Sequence, residues 1–316
     1  MKNIWLDGVM GVVIGDALGC PVQFEDRETV RRHPVDTMTG HGTFDLPAGS
    51  WTDDSSLTLA LLSGIREKQT IDLTDIMDRF VSWLIDGQYT PYGYAYDIGH
   101  TTMDSVLAYR KFKNTGFCGR TSPASNGNGS LMRIMPACLF AYAKQMDTDS
   151  AIKMIHTVSG LTHNHLRSRM ACGLYYFCVC AILDGQGTLA NRLQAGMDAG
   201  FAWYMNSSDP DAAKELDFYR RLKDLKVFAE TDETEIGSSG YVVDSLEAAV
   251  WSLITTNSFK DCELKAVNLG YDTDTVGAIA GGLAGLYYGY DTIPSDWLAQ
   301  IKRREWIEDL CRDVIK

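Results

Sequence analysis

Apolar residues recur at three- and four-residue spacing along most of this chain. The run Ile76-Met77-Asp78-Arg79-Phe80-Val81-Ser82-Trp83-Leu84-Ile85 shows the pattern. The same spacing predicts helices over 151–158, 167–183, 189–205, 216–228, 245–255, 259–269 and 297–314. No stretch alternates convincingly as a half-buried strand. Connections are rich in Gly, Asn and Ser, as in Pro91-Tyr92-Gly93-Tyr94 and Ser125-Asn126-Gly127-Asn128-Gly129-Ser130. The polar stretch 230–240 reads as a surface loop. No repeat or low-complexity linker divides the chain. The pattern therefore predicts an all-α fold, one compact multi-helix domain over 1–316. Gly277, Gly281, Gly282 and Gly285 predict central helices whose backbones approach closely.

Two predicted helix starts are unusually acidic. Ser50-Trp51-Thr52-Asp53-Asp54-Ser55 follows Gly49 and continues into Ser56-Leu57-Thr58-Leu59-Ala60. Asp272-Thr273-Asp274-Thr275 follows Gly270-Tyr271 and continues into Val276-Gly277-Ala278-Ile279. Asp, Ser and Thr are favoured at helix N-termini because they accept from free amides and suit the positive dipole end. A cap needs one oxygen, however, and adjacent carboxylates repel unless solvated or bridged by cations. The residues alone allow either reading: two dense caps, or one all-oxygen site for hard divalent cations.

Composition narrows the choice of partners. Asp plus Glu number 41 and Lys plus Arg 29, a formal charge of −12. That balance argues against a general nucleic-acid binder, which presents a basic face. It leaves small anionic ligands open, because bound cations supply positive charge locally. The eight cysteines are scattered through apolar segments with no C-x-x-C pair, and they read as buried free thiols. Met1-Lys2-Asn3-Ile4-Trp5-Leu6-Asp7 has no signal-peptide character, and the apolar run 276–290 is too short and glycine-rich to span a bilayer. The expectation is a cytoplasmic protein without membrane association.

Five segments, in order, carry a resemblance. They are Gly11-Val12-Val13-Ile14-Gly15-Asp16-Ala17-Leu18-Gly19-Cys20-Pro21-Val22-Gln23-Phe24, Gly49-Ser50-Trp51-Thr52-Asp53-Asp54, Ser125 to Arg133, Leu161-Thr162-His163-Asn164, and Val267 to Gly277. Together they resemble the ADP-ribosylglycohydrolase family, including the dinitrogenase reductase-activating glycohydrolases, from about Asp7 to Trp297. The resemblance implies an orthogonal all-α fold with two divalent cations, Mg²⁺ or Mn²⁺, in a central cleft. It matches Thr52, Asp53 and Asp54 to one ligand group and Asp272, Asp274 and Thr275 to the other. The implied reaction frees ADP-ribose from a modified side chain of an ADP-ribosylated protein. Asp54 and Asp97 are the carboxylates expected to act in it.

The same resemblance gives further residues a role. Ser125, Gly127, Asn128, Gly129 and Ser130 would face the phosphates and adenosine side, and His163 the pyrophosphate. Read alone, that segment is a plain loop before a helix over 131–142, and a lone His is structural. Tyr96-Asp97-Ile98-Gly99-His100 resembles the segment bordering the scissile bond, where a carboxylate pairs with a guanidinium. Read alone, Asp97 caps the next helix. His33, His41 and His100 have no metal-like spacing and receive no role. One departure stands out. Many relatives carry Glu where this chain has Gln23, and Gln exchanges no proton near neutral pH. Glu25, two positions on, is a displaced substitute or a surface residue. The departure weighs against a serine-directed enzyme more than an arginine-directed one, so ADP-ribosylarginine is the expected substrate. The alternatives are a non-catalytic ADP-ribose binder and a metal-dependent phosphohydrolase of an ADP-ribose-like nucleotide.

Overall fold

Asn3 starts the first helix. Its side-chain oxygen accepts from the N–H groups of Trp5 and Leu6, and Ile4–Gly19 follows. The computed structural model describes residues 3–315. Ile4–Gly19 is apolar on every side and almost wholly buried, so its sequence carries no amphipathic period to read. Its main partner is the helix Thr273–Tyr288, from the other end of the chain.

Glycine makes that pairing possible. Gly11 faces Gly281, Gly15 faces Gly277, and Gly285 faces the Asp7 backbone, an antiparallel register in four-residue steps. A Cβ at any of these positions would sink into the opposing main chain. The close approach expected from the glycines is present. The register brings the C-terminal end of one helix to the start of the other. Thr273 Oγ1 donates to the Gly19 carbonyl at 2.8 Å.

Other helices pack around this pair. Asp53–Lys68 and Met135–Ala143 lie against Ile4–Gly19, while Leu166–Asp184, Val242–Ile254 and Phe259–Val267 lie against Thr273–Tyr288. One contiguous apolar cluster, with Trp51, Trp83 and Trp297 fully buried, runs through them. Among the described residues there are no strands, only isolated bridges at His41–Leu46, Arg120–His163 and Gly127–Tyr241. All eight cysteines are free, and all but half-buried Cys180 are buried. Two helical stretches, Ile4–Val22 and Leu166–Asp184, are long and apolar enough to cross a membrane, a length the reading of 276–290 overlooked. Most of each is buried inside the protein.

Three predicted helices differ in the structure. The expected helix over 216–228 is broken into Ala212–Leu216, a 3₁₀ segment Asp217–Lys223 and Leu225–Ala229. Tertiary bonds override the local pattern there. Tyr219 Oη donates to the Arg167 carbonyl at 2.8 Å, Arg221 pairs with Glu247 at 2.9 Å, and Asp224 caps the last piece. The expected helix over 297–314 is interrupted between Ser295–Gln300 and Arg304–Leu310. At the break Lys302 N–H reaches the Gly49 carbonyl, and Arg303, at φ +51°, donates to the Thr90 carbonyl. The expected helix over 131–142 begins only at Met135, with Pro136 in its first turn. The turn before it holds Arg133.

Candidate active site

The helix Asp53–Lys68 begins at Thr52, yet Thr52 makes no side-chain cap. The capping oxygens come from Asp16 of the first helix. Its carboxylate accepts from Thr52 N–H at 2.9 and 3.0 Å, Ser55 N–H at 2.9 Å and Ser55 Oγ at 2.5 Å. Asp16 is fully buried. Burial pushes its pKa up to about 7, and the Ser55 and Thr52 donors pull against that rise. Asp272 likewise starts Thr273–Tyr288 without capping it. The acidic residues at both helix starts are therefore not spent as caps.

Instead the two starts meet. Thr52 Oγ1 donates between Asp54 Oδ2 at 3.2 Å and Asp274 Oδ2 at 3.3 Å. Thr275 Oγ1 lies 3.4 Å from Asp54 Oδ2. Asp54 and Asp274 are almost fully buried, and the Oδ1 atom of each has no hydrogen-bond partner. Burial, with neighbouring carboxylates adding to it, holds Asp53, Asp54 and Asp274 well above the usual carboxylate range. Asp272 is half-buried and accepts from Asn128 Nδ2 at 2.6 Å, which also reaches Ser245 Oγ at 2.9 Å. Among the described residues no three Asp, Glu, His or Cys side chains gather as a complete metal-ligand set. The oxygens that converge are a mixed carboxylate and threonine set.

This cluster floors a cleft of about 660 Å³. Asp53, Asp272 and Thr275 are exposed to it, with Thr52, Asp54 and Asp274 beneath. Gln23 and Asp97 line one wall. Asp97 does not cap the next helix, which starts at Gly99. It sits at φ +53°, and burial raises its pKa while the Gln23 and Asp274 side chains pull it down. Gln23 is buried, with its Oε1 unpartnered. Glu25 is exposed and lies outside the cleft lining, so it does not take the place of a wall carboxylate.

The asparagine-glycine segment also lines the cleft. It is not a free loop. Asn128 N–H bonds to the Gly240 carbonyl, Val242 N–H to the Asn126 carbonyl, and Ser168 Oγ to Asn126 Oδ1. Gly127, Asn128, Gly129 and His163 face the cleft. Ser125 and Ser130 do not line it. Ser125 ends a 3₁₀ turn, and Ser130 is fully buried, accepting from Ser159 Oγ at 2.9 Å. His163 packs over the glycines, and a Cβ at Gly129 would come 2.8 Å from its Cε1. Behind it, fully buried Arg133 donates to Thr162 Oγ1 at 2.7 Å, and Thr162 Oγ1 lies 2.9 Å from His163 Nδ1. Thr162 Oγ1 thus stands between the Arg133 guanidinium and His163 Nδ1, and Nε2 is the ring nitrogen nearest Gly127. Burial, with Arg133 adding to it, lowers the His163 pKa to about 3, so the ring is neutral.

Sequence reasoning missed several contributors. Asp16 is one of them, and a buried acid inside an apolar helix is its signal. Arg133 sat at the end of a loop motif. Ser239 and Gly240 come from the stretch read as a surface loop and line the cleft, as does the exposed His100. Two aromatic residues at the cleft mouth also passed unnoticed. Phe24 and Tyr271 both adopt positive φ, at +69° and +63°.

A helical fold with a cleft floored by two acidic helix starts defines the class. The ADP-ribosylglycohydrolase family profile matches residues 5–316, and the chain belongs to that family. The match continues beyond Trp297, where the motif resemblance ended. ADP-ribosylarginine hydrolase Tri1 of Serratia proteamaculans is 31% identical over 306 residues, covering 97% of this chain and 77% of its own. The ADP-ribosyl-[dinitrogen reductase] glycohydrolase of Rhodospirillum rubrum is 31% identical, covering 94% of this chain and 89% of its own. A solved structure described as an ADP-ribosylglycohydrolase-related protein complex superimposes with a TM-score of 0.78 at 29% identity, covering 99% of this chain and 97% of its own.

Proposed function

We propose that this protein hydrolyses the N-glycosidic bond between ADP-ribose and an arginine side chain of a modified protein. The observation that carries the proposal is the pair of acidic helix starts, whose own side chains cap neither helix and gather at one cleft. The relatives named for ADP-ribosylarginine hydrolysis support the choice of linkage.

The donor set fits two hard divalent cations, Mg²⁺ or Mn²⁺. Buried, partnerless oxygens on Asp54 and Asp274 ask for a positive neighbour. Thr52, Asp53, Asp54, Asp272, Asp274 and Thr275 would hold them. Such cations, when bound, supply charge compensation and Lewis-acid polarisation. The remaining work falls to the chain's own groups. Gly127 and Gly129 let the ligand's phosphates approach the main chain, with His163 Nε2 beside the same glycines. Asp97 accepts paired N–H bonds from the guanidino group and orients the scissile bond. Its carboxylate also stabilises the positive charge that grows at the anomeric carbon as the C–N bond breaks. In the net reaction water supplies a hydroxyl to that carbon and a hydrogen to the departing nitrogen. Gln23 takes no part in the proton exchange, but its amide hydrogen-bonds a ribose hydroxyl.

The deciding experiment supplies arginine-linked and serine-linked ADP-ribose in parallel, with added Mg²⁺ or Mn²⁺ or with EDTA. The expected outcome is free ADP-ribose from the arginine linkage in the presence of metal. Equal rates on the serine linkage, or AMP with ribose phosphate as products, would replace this assignment. Tight ADP-ribose binding without release from either substrate would make the protein a binder.

A further inference from the structure

We propose that a row of aromatic rings leading out of the cleft is a docking track for the extended, arginine-bearing polypeptide that flanks the modified arginine. The identity of that modified residue rests on the hydrolase reading above. The row begins at Phe24, on the cleft mouth and 66% exposed. A bulky residue at φ +69° is a costly conformation that the surroundings must impose. Phe24 N–H bonds to the Tyr271 carbonyl at 2.6 Å, and Tyr271 N–H returns to the Glu25 carbonyl at 2.7 Å. This pair of bonds ties Phe24 and Tyr271 side by side at the mouth, both with exposed rings.

From Phe24 the rings continue through Phe44, Tyr96, Tyr94 and Tyr92, with successive centroids 6.4, 5.5, 5.9 and 6.3 Å apart. Two of the phenols are tied down. Tyr92 Oη lies 2.7 Å from Ser50 Oγ, and Tyr96 Oη donates to the Trp51 carbonyl. Tyr94, 52% exposed, stands between them. Rings fixed in this way present apolar area with little entropy left to lose on binding.

Three features select the occupant. The row is continuous with the cleft, so whatever is attached to the substrate side chain passes over it. Its ring spacing is close to the ~6.6 Å between same-face side chains of an extended chain, two residues at ~3.3 Å each. And Phe24 and Phe44 are each followed by an exposed acid, Glu25 and Asp45 (beside His41 at 2.7 Å). A guanidinium stacks on a ring while pairing with a carboxylate, which a lysine does less well. The net charge of −12 acts in the same direction and against an anionic lipid surface or a second copy of this chain.

The test compares the native protein with Tyr94→Ala, and with Tyr94→Phe as the conservative control. The peptide probe is Arg-Gly-Arg-Gly-Arg, followed by fluorescence titration. The substrates are free ADP-ribosylarginine and the same peptide ADP-ribosylated at its central arginine. Tyr94→Ala is expected to weaken peptide binding and raise the peptide-substrate KM by about fivefold or more, the level of one interface hot spot. It leaves KM and kcat on free ADP-ribosylarginine within about twofold, and Tyr94→Phe recovers most of the loss. Equal peptide binding by the native protein and the Ala variant overturns the proposal, as does an equal loss on both substrates. If neither substrate releases ADP-ribose but peptide binding still depends on Tyr94, the track stands and the hydrolase reading falls.

Discussion

A residue's task in this site depends on which neighbour relieves it of another. Thr52, Asp53 and Asp54 stand where a helix cap belongs, and they are free because Asp16 reaches across from a different helix. Asp16→Ala is expected to cost about 1–2 kcal/mol, as for a lost cap, and to misplace the cluster. A fall in Tm together with a loss of kcat checks this; a fall in Tm with kcat intact would make Asp16 a cap alone. Asp274→Ala removes a direct member of the cluster. Its loss of turnover should equal or exceed the ~100-fold seen for outer partners of a metal, with the helical circular dichroism unchanged. Full activity of that variant, or of the native protein in EDTA, would remove the two-cation reading. Glu25→Gln, on a residue outside the cleft, should leave kcat on free ADP-ribosylarginine within about twofold. His163 is neutral throughout the working range, because burial and Arg133 drop its pKa to about 3. Its lowered pKa means it takes up no proton near pH 6.5. The pH–rate profile of the native protein should therefore show no inflection that His163→Gln removes between pH 5 and 8.

At the scale of elements, the glycine-matched pair Ile4–Gly19 and Thr273–Tyr288 brings the helix that carries Asp16 against the helix that carries Asp274. Gly277→Ala would drive a methyl group into the Gly15 main chain. The expected cost is about 3 kcal/mol, with turnover falling more steeply than stability predicts, because both helix ends carry site residues. Thermal melts and initial rates on the same preparation measure both. Elements with one apolar face were legible in the sequence, as 76–85 and 189–205 show. The first helix was not, because a segment apolar all round carries no period. The breaks near Asp224 and Arg303 were not legible either, because bonds to Arg167, Glu247, Gly49 and Thr90 decide them from far along the chain. The acidic clusters were visible, but their freedom from capping was not, since Asp16 lies 36 positions before Thr52. Ser125 and Ser130 show the opposite error: a motif names a segment, while the turn decides which of its side chains face the cleft.

At the scale of the whole molecule, one carboxyl stands apart from the chemistry. Glu263 is fully buried on Phe259–Val267, near Gly15 and Gly281, and neither of its oxygens has a hydrogen-bond partner. Burial raises its pKa well above the usual range, so the folded protein holds it protonated. The unfolded chain releases that proton first. Above the unfolded pKa of ~4.3 the folded state binds the extra proton, and stability falls as pH rises, by about 1.4 kcal/mol per unit, until the folded group ionises. Glu263→Gln should raise Tm relative to the native protein at pH 7 and change it little at pH 4; melting curves at the two pH values decide it. The antiparallel pairing of residues 4–19 with residues 273–288 has a consequence for synthesis. Asp16 is made well before Asp274. While the ribosome is still adding residues in the 260s, the first helix has no mate and the floor of the cleft has only one of its acidic halves. The floor of the cleft is completed only when Thr273–Tyr288 has left the exit tunnel.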